Sequence, residues 1–178
     1  MTATTLDAGD VSLAATLPAL RAKFPEAVVR AQVGNHQAVI CVASEPAHAV
    51  LGWLRDDPGQ RFDYLTDVTC VEYRDPELPL EVVYQLRSLP RKTDLRIKVL
   101  LDPDGPLKVE TVTDLWAGAE WLEREVWDMF GVVFLQHRDL RRILMPDGWK
   151  GYPLRKDYNI LQQDTDWVKA NLGIESGQ

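Results

Sequence analysis

EREVWDMFGVVFLQHRDLRRILMPDGWKGYPLRKDY, residues Glu123 to Tyr158, changes character part-way along. Up to Gly131 it completes a helical pattern in which Leu115, Ala119, Leu122, Val126 and Met129 or Phe130 recur on one stripe. Asp114 is placed to cap that helix, and Gly131 to end it in the left-handed conformation. Beyond Gly131 the period is lost, turn signals follow at Pro146 to Gly148 and Gly151 to Pro153, and the chain runs into a polar tail after Asp164. A charged, aromatic stretch without an apolar face builds no core of its own. The spacing therefore predicts a folded body over residues 11–130 and an extended C-terminal arm over 131–178 that lies on another protein.

Working back from the helix, three strand signals cover 61–73, 80–89 and 95–101. The last alternates cleanly, with Leu95, Ile97, Val99 and Leu101 on one face and Arg96 and Lys98 on the other, as a half-buried strand does. Asp102 to Pro106 reads as a turn, after which Leu107, Val109 and Thr111 extend the sheet. Earlier still, residues 27–33 and 37–43 flank Gly34 and Asn35, a pair that favours positive φ and hence a hairpin. Ser44 is placed to cap a helix carrying Val50, Trp53 and Leu54, which the DDPG run at 56–59 ends. Leu13, Leu17, Leu20 and Phe24 follow helical spacing; Pro18 restricts that helix to a start near Thr16. Residues 1–10 are small and polar and read as frayed. Helix, hairpin, helix, strands, helix predicts an α+β fold, a two-layer domain with a mixed, mainly antiparallel sheet, rather than a doubly wound parallel one.

At 178 residues one domain suffices to bury a core. The net charge of −7 argues against a general nucleic-acid or anionic-membrane binder, because both need a basic footprint. Glu123 to Tyr158 carries six acidic residues against seven basic ones, so the acidity sits in the remainder. Cys41 and Cys70 stand far apart and belong to no metal-binding spacing; they read as small buried apolar residues in a reducing compartment. MTATTLDAGD has neither the basic patch nor the apolar run of a signal peptide, and no stretch approaches the ~18 apolar residues of a spanning helix. These features place the chain in the cytoplasm, touching a membrane only through partners.

Candidate chemistry is sparse. Glu123, Glu125 and Asp128 share a helix but have no His at ligand spacing, so they read as surface carboxylates that pair locally, face a partner or meet the arm's arginines. His137, beside Arg138 and Asp139, reads as a hydrogen-bonded structural or interface residue. No nucleophile triad, phosphate loop or dinucleotide fingerprint is present. Arg141, Arg142, Arg155 and Lys156, interleaved with Trp149, Tyr152 and Tyr158, are the sharpest polar feature. Arginine and aromatic residues are the types enriched in interface hot spots, which fits an arm ordered against a neighbour. Folding back onto its own domain is the plain alternative.

The same residues carry a family resemblance. Glu123, Arg124, Glu125, Asp128, Phe130, Gly131, Phe134, His137, Leu140 to Leu144, Gly151 and Pro153 to Tyr158 resemble the signature of the 30 kDa (C) subunit of proton-pumping NADH:quinone oxidoreductase, respiratory complex I. Upstream, RFDYLTDVTCVEY at 61–73 resembles a second segment of that family. Gln136 and Arg138 stand where the family usually has Gly and Pro, and Tyr152 where His is commoner. The resemblance implies a non-redox structural subunit of the hydrophilic arm of the complex, peripheral on the cytoplasmic face of the cell membrane. It further implies contacts with the quinone-site (D) subunit and the cluster-bearing (B) subunit. FMN, iron–sulfur clusters and quinone would belong to neighbours, with no cofactor and no catalytic site on this chain. Its partner-binding residues would be Glu123, Arg124, Glu125, Asp128, Phe130, His137, Arg141, Arg142, Trp149, Tyr152, Arg155, Lys156, Asp157 and Tyr158. Two alternatives stay open: the equivalent subunit of a membrane-bound hydrogenase or ferredoxin-linked complex, and a free-standing nucleic-acid-binding module.

Overall fold

The computed structural model describes residues 8–75, 77–102, 105–159 and 165–174. The expectations for residues 1–7, for the tip of the turn at 103–104 and for the end of the tail lie outside the described residues.

α1 (Ala8–Lys23) is followed by a hairpin of β1 (Val28–Gly34) and β2 (Gln37–Ala43), then α2 (Ala47–Asp56). β3 (Tyr64–Val71), β4 (Glu81–Ser88) and β5 (Thr93–Leu100) complete a five-stranded sheet in the order β1-β2-β5-β4-β3. Every neighbouring pair is antiparallel except β2 and β5. The fold is therefore α+β with a mixed, mainly antiparallel sheet. α1 packs across β1, β2 and β5, and α3 (Ala119–Phe130) across β3. Ile40, Leu51, Leu54, Phe62, Tyr84, Leu86, Leu95 and Ile97 are fully buried between the layers. Each aliphatic or Phe side chain among them contributes on the order of 1.5–3 kcal/mol relative to exposure.

Local punctuation differs from the sequence reading at four places, and at α1 and Asp114 tertiary contacts outweigh the local signal. Pro18 lies inside α1, which starts well before Thr16. Ser12 donates to the Asp94 carbonyl at 3.0 Å and Thr16 to Gln60 Oε1 at 2.9 Å, and Leu20 is fully buried, so the whole face is held against the body. The hairpin turns at Asn35 and His36, both at positive φ, not at Gly34 and Asn35. Ser44 does not cap α2, whose N-cap is Pro46 without a side-chain bond. Asp114 does not cap α3, whose N-cap is Gly118; its carboxylate meets His48 Nε2 at 3.0 Å instead.

β6 (Lys108–Glu110) does not extend the main sheet as the alternation at Leu107, Val109 and Thr111 predicts. It pairs in parallel with β7 (Val133–Leu135), and α3 is the crossover between them. Gly131 caps α3 at φ 80°, in the left-handed region. Residues 165–172 form a last short helix, α4 (Thr165–Leu172).

Candidate functional site

The polar stripe of α3 is the centre of the molecule's chemistry, and it faces inward. Glu123 and Asp128 are fully buried and Arg124 is nearly so, whereas an exposed helix face would leave all three in water. Unpaired buried ions are costly, so each must find partners.

Asp128 finds them in the segment after β7. Its Oδ2 accepts three consecutive backbone amides, Ile143 at 3.0 Å, Leu144 at 2.8 Å and Met145 at 2.8 Å. Its Oδ1 accepts Arg142 Nη1 at 2.5 Å. Burial pushes this carboxyl up, but the amides of Met145 and Ile143, the Arg142 guanidinium and the Leu144 amide together hold it below the usual carboxylate range. Arg142 then spans the next turn, donating from Nη2 to the carbonyls of Trp149 at 2.8 Å and Gly151 at 3.0 Å. Its guanidinium sits between the rings of Trp127 and Tyr152, 5.7 and 5.6 Å from their centroids. One helical turn back, Arg124 donates to the carbonyls of Arg141 at 3.1 Å and Arg142 at 3.0 Å. Two buried ions of opposite sign thus hold opposite polarities of one backbone turn.

Glu123 points the other way. It accepts the Thr111 hydroxyl at 2.5 Å and the Val112 amide at 2.7 Å, tying the end of β6 to α3. Burial pushes its carboxyl up to about 7, and those two donors offset only part of that.

Farther along, the Leu154 amide donates to the Met129 carbonyl at 3.0 Å. Glu72 takes Arg155 Nε at 3.3 Å and the Lys156 amide at 2.6 Å. Trp149 Nε1 donates to the Tyr158 hydroxyl at 3.2 Å, and Trp167 of α4 packs edge-on against Trp149. Gly131 is required twice over: for its φ, and because an added Cβ would come within 2.6 Å of the Tyr152 ring.

The stretch predicted to lie on another protein is therefore bonded to its own chain from β7 to Tyr158. Glu123, Arg124, Asp128 and Phe130, expected at a partner surface, lie inside this chain. His137 is also internally engaged, with Nε2 3.1 Å from the Glu120 carbonyl and Nδ1 accepting the Asp139 amide at 3.1 Å. Both ring nitrogens are taken by these backbone partners. Glu125, Arg141, Lys156 and Asp157 are exposed, and Arg142, Trp149, Tyr152, Arg155 and Tyr158 are half-buried. Sequence reasoning passed over Trp121, Trp127 and Glu72; only Glu72 carried a signal, through the 61–73 segment. Among the described residues no group of three or more His, Cys, Asp or Glu could hold a metal ion, and no helix is long and apolar enough to cross a membrane.

Residues 40–164, which include the clasp formed by Glu123, Arg124, Asp128 and Arg142 with the turns they hold, match the family described as respiratory-chain NADH dehydrogenase, 30 Kd subunit. The chain belongs to that family. Among relatives of this 30 Kd subunit is the NADH-quinone oxidoreductase (C) subunit of Geotalea uraniireducens (strain Rf4), 38% identical over 153 residues that cover 86% of this chain and 92% of the relative. The NADH-quinone oxidoreductase (C/D) subunit of Acidiphilium cryptum (strain JF-5) is 42% identical over 134 residues, 71% of this chain but 22% of that longer protein. Two solved structures share the fold. One, described as Nqo5 of the trypsin-resistant fragment (1-134), gives a TM-score of 0.60 at 28% identity, covering 72% of this chain and 99% of the fragment. The other belongs to the membrane-bound sulfane sulfur reductase, an archaeal respiratory membrane complex, with a TM-score of 0.62 at 25% identity over 89% of both chains.

Proposed function

We propose that this chain is a non-redox structural subunit of the hydrophilic arm of proton-translocating NADH:quinone oxidoreductase, and that its C-terminal arm is a preformed docking surface. The observation that carries this is where apolar surface remains. Of the thirteen large apolar side chains still exposed among the described residues, eight lie between Trp121 and Ile174. An aperiodic segment rich in exposed apolar residues beside arginine and tryptophan is what an assembly interface requires.

The quinone-site subunit is the first partner. The C/D relative, in which a portion like this chain shares one polypeptide with a D portion, supports that choice, because fusion keeps two contacting modules at high effective concentration. The cluster-bearing subunit as second partner, cytoplasmic-face peripheral attachment, and residence of FMN, iron–sulfur clusters and quinone in the neighbours complete the proposal; electron transfer would depend on this chain through positioning alone. Glu125, Arg141, Ile143, Leu144, Leu154, Lys156 and Asp157 face the partner. Glu123, Arg124, Asp128 and Arg142 shape that surface from within. The division into a body at 11–130 and an arm beyond it is part of the proposal.

A second reading, the equivalent subunit of a related respiratory complex, is favoured by the shared fold with the sulfane sulfur reductase chain. Purification of the tagged chain from its native membranes separates the two by the subunits that accompany it. Truncation before Leu140, or Arg142→Ala, is expected to lower the yield of assembled complex while the body stays folded. Normal assembly by the truncated chain contradicts the proposal.

A further inference from the structure

Trp121, Arg124 and Asp128 follow one another along a single stripe of α3. The arm's turn from Arg141 to Met145 covers that stripe only in part. Asp128 holds the amides of residues 143–145 and Arg124 the carbonyls of 141 and 142, and there the cover stops. Trp121, one helical turn nearer the N-terminus, is left 58% exposed.

It is exposed but held. The Arg124 guanidinium lies 5.0 Å from the Trp121 ring centroid, and Arg124 is itself buried with its donors engaged by the two carbonyls. A flexible surface side chain gives up rotamer freedom when a partner binds; a ring stacked on a fixed cation has little left to give up. Ile143 and Leu144 protrude beside the Arg124-bound carbonyls, and their amides are fixed on Asp128. Arg141, 70% exposed, stands at the edge of the same turn. The result is a small apolar patch whose rim carries the Arg141–Asp139 pair, 2.9 Å apart, on the arm and the exposed Glu125 on α3.

We propose that Trp121 is an interface anchor, through which α3 itself, and not only the arm, docks on the quinone-site subunit by inserting the indole into an apolar pocket. The partner's identity rests on the function proposed above; the preorganised ring does not. Large aromatic side chains at the centre of a protein interface typically carry a disproportionate share of its affinity. In this geometry Arg124 is a positioning residue, acting through Trp121.

The test is binding of the full chain to the quinone-site subunit of the same complex, comparing wild type, Trp121→Ala, Trp121→Phe and truncation before Leu140, together with hydroxyl-radical footprinting of Trp121 in the free and bound chain. Trp121→Ala is expected to weaken binding at least tenfold with only a small shift in the unfolding midpoint of the free chain, from loss of the Arg124 contact. Trp121→Phe is expected to keep most of the affinity, and Trp121 oxidation to fall several-fold in the complex. If Trp121→Ala binds like wild type while the truncation abolishes binding, the anchor is overturned and the docking arm stands. Unchanged Trp121 oxidation on binding overturns the anchor as well. If neither variant alters binding, the anchor and the docking arm fall together.

Discussion

The body and the C-terminal arm are held together by different physics. In the body, whole strands are apolar on the covered face, and residues such as Ile40, Leu86, Leu95 and Ile97 are fully buried. In the arm, no described residue from 141 to 159 is buried, yet its backbone is fixed as firmly in direction by Asp128, Arg142, Arg124 and Glu72. Apolar burial is non-directional and spread over many groups, so it tolerates loss at any one of them. Buried ions place atoms to within a hydrogen bond, but each is a single point of failure. A surface that must present a set shape to a partner without a core behind it is best built the second way.

The contrast breaks most sharply at Asp128. Asp128→Ala leaves three amides and the Arg142 guanidinium without their acceptor, and denaturant unfolding at neutral pH is expected to show a loss of about 3–5 kcal/mol. Arm-specific probes should change first. A body substitution such as Ile97→Val is expected to cost only about 0.5–1.5 kcal/mol and to leave the arm in place.

Next comes pH. Burial raises Glu123 from the ordinary 4.5 to about 7, so its contribution to stability is fully present below about 4.5 and is lost as the pH rises through about 7. Across that window the loss amounts to roughly 3 kcal/mol at most. Unfolding measured from pH 5 to 8 should show the decline, and Glu123→Gln should flatten it. Asp128 has the opposite sign: it lies below its ordinary 3.8, so its stabilisation is present above that value and is lost as the pH falls through the folded one. The ties of α3 are thus weakened from both ends of the pH scale, the one to the arm through Asp128 in acid and the one to the end of β6 through Glu123 as the pH rises.

Gly131→Ala tests the junction sterically. A left-handed φ and a collision with the Tyr152 ring together predict a loss of about 2 kcal/mol or more. Tyr152→Ala in the same chain should recover part of it, seen as a coupling in a double-mutant cycle.

The smallest effect runs the other way. Gln136 has φ 65°, a conformation glycine adopts freely, and it occupies the position where the resembled family usually has Gly. Relief of roughly 1–2 kcal/mol of strain, set against glycine's own entropy cost of about 0.5–1, predicts that Gln136→Gly stabilises the chain by about 0.5–1 kcal/mol in thermal unfolding.

What the sequence disclosed follows the same division. The alternation at 95–101, the paired strands around residue 35 and the stop at Gly131 are local patterns, and the structure contains all three. The cap at Asp114 was equally local but lost to His48, and Ser44 stands two residues before the N-cap of α2. The clasp was hidden for a different reason. Glu123, Arg124 and Asp128 sit on a helix whose apolar stripe is complete without them, so a helical wheel assigns them to solvent. Their partners lie 11 to 18 residues away along the chain, in strand ends and turns that have no period. Only the family resemblance marked those positions as a set, and it could not say that they face one another before they face a neighbour.

The arm is already shaped on its own chain before any partner arrives. Amide hydrogen exchange of Ile143, Leu144 and Met145 in the isolated chain tests it most directly. Strong protection of all three is expected, lost together in Asp128→Ala while the amides of β4 and β5 remain protected. Exchange of these three at the rate of an unstructured peptide in the wild-type chain would contradict it.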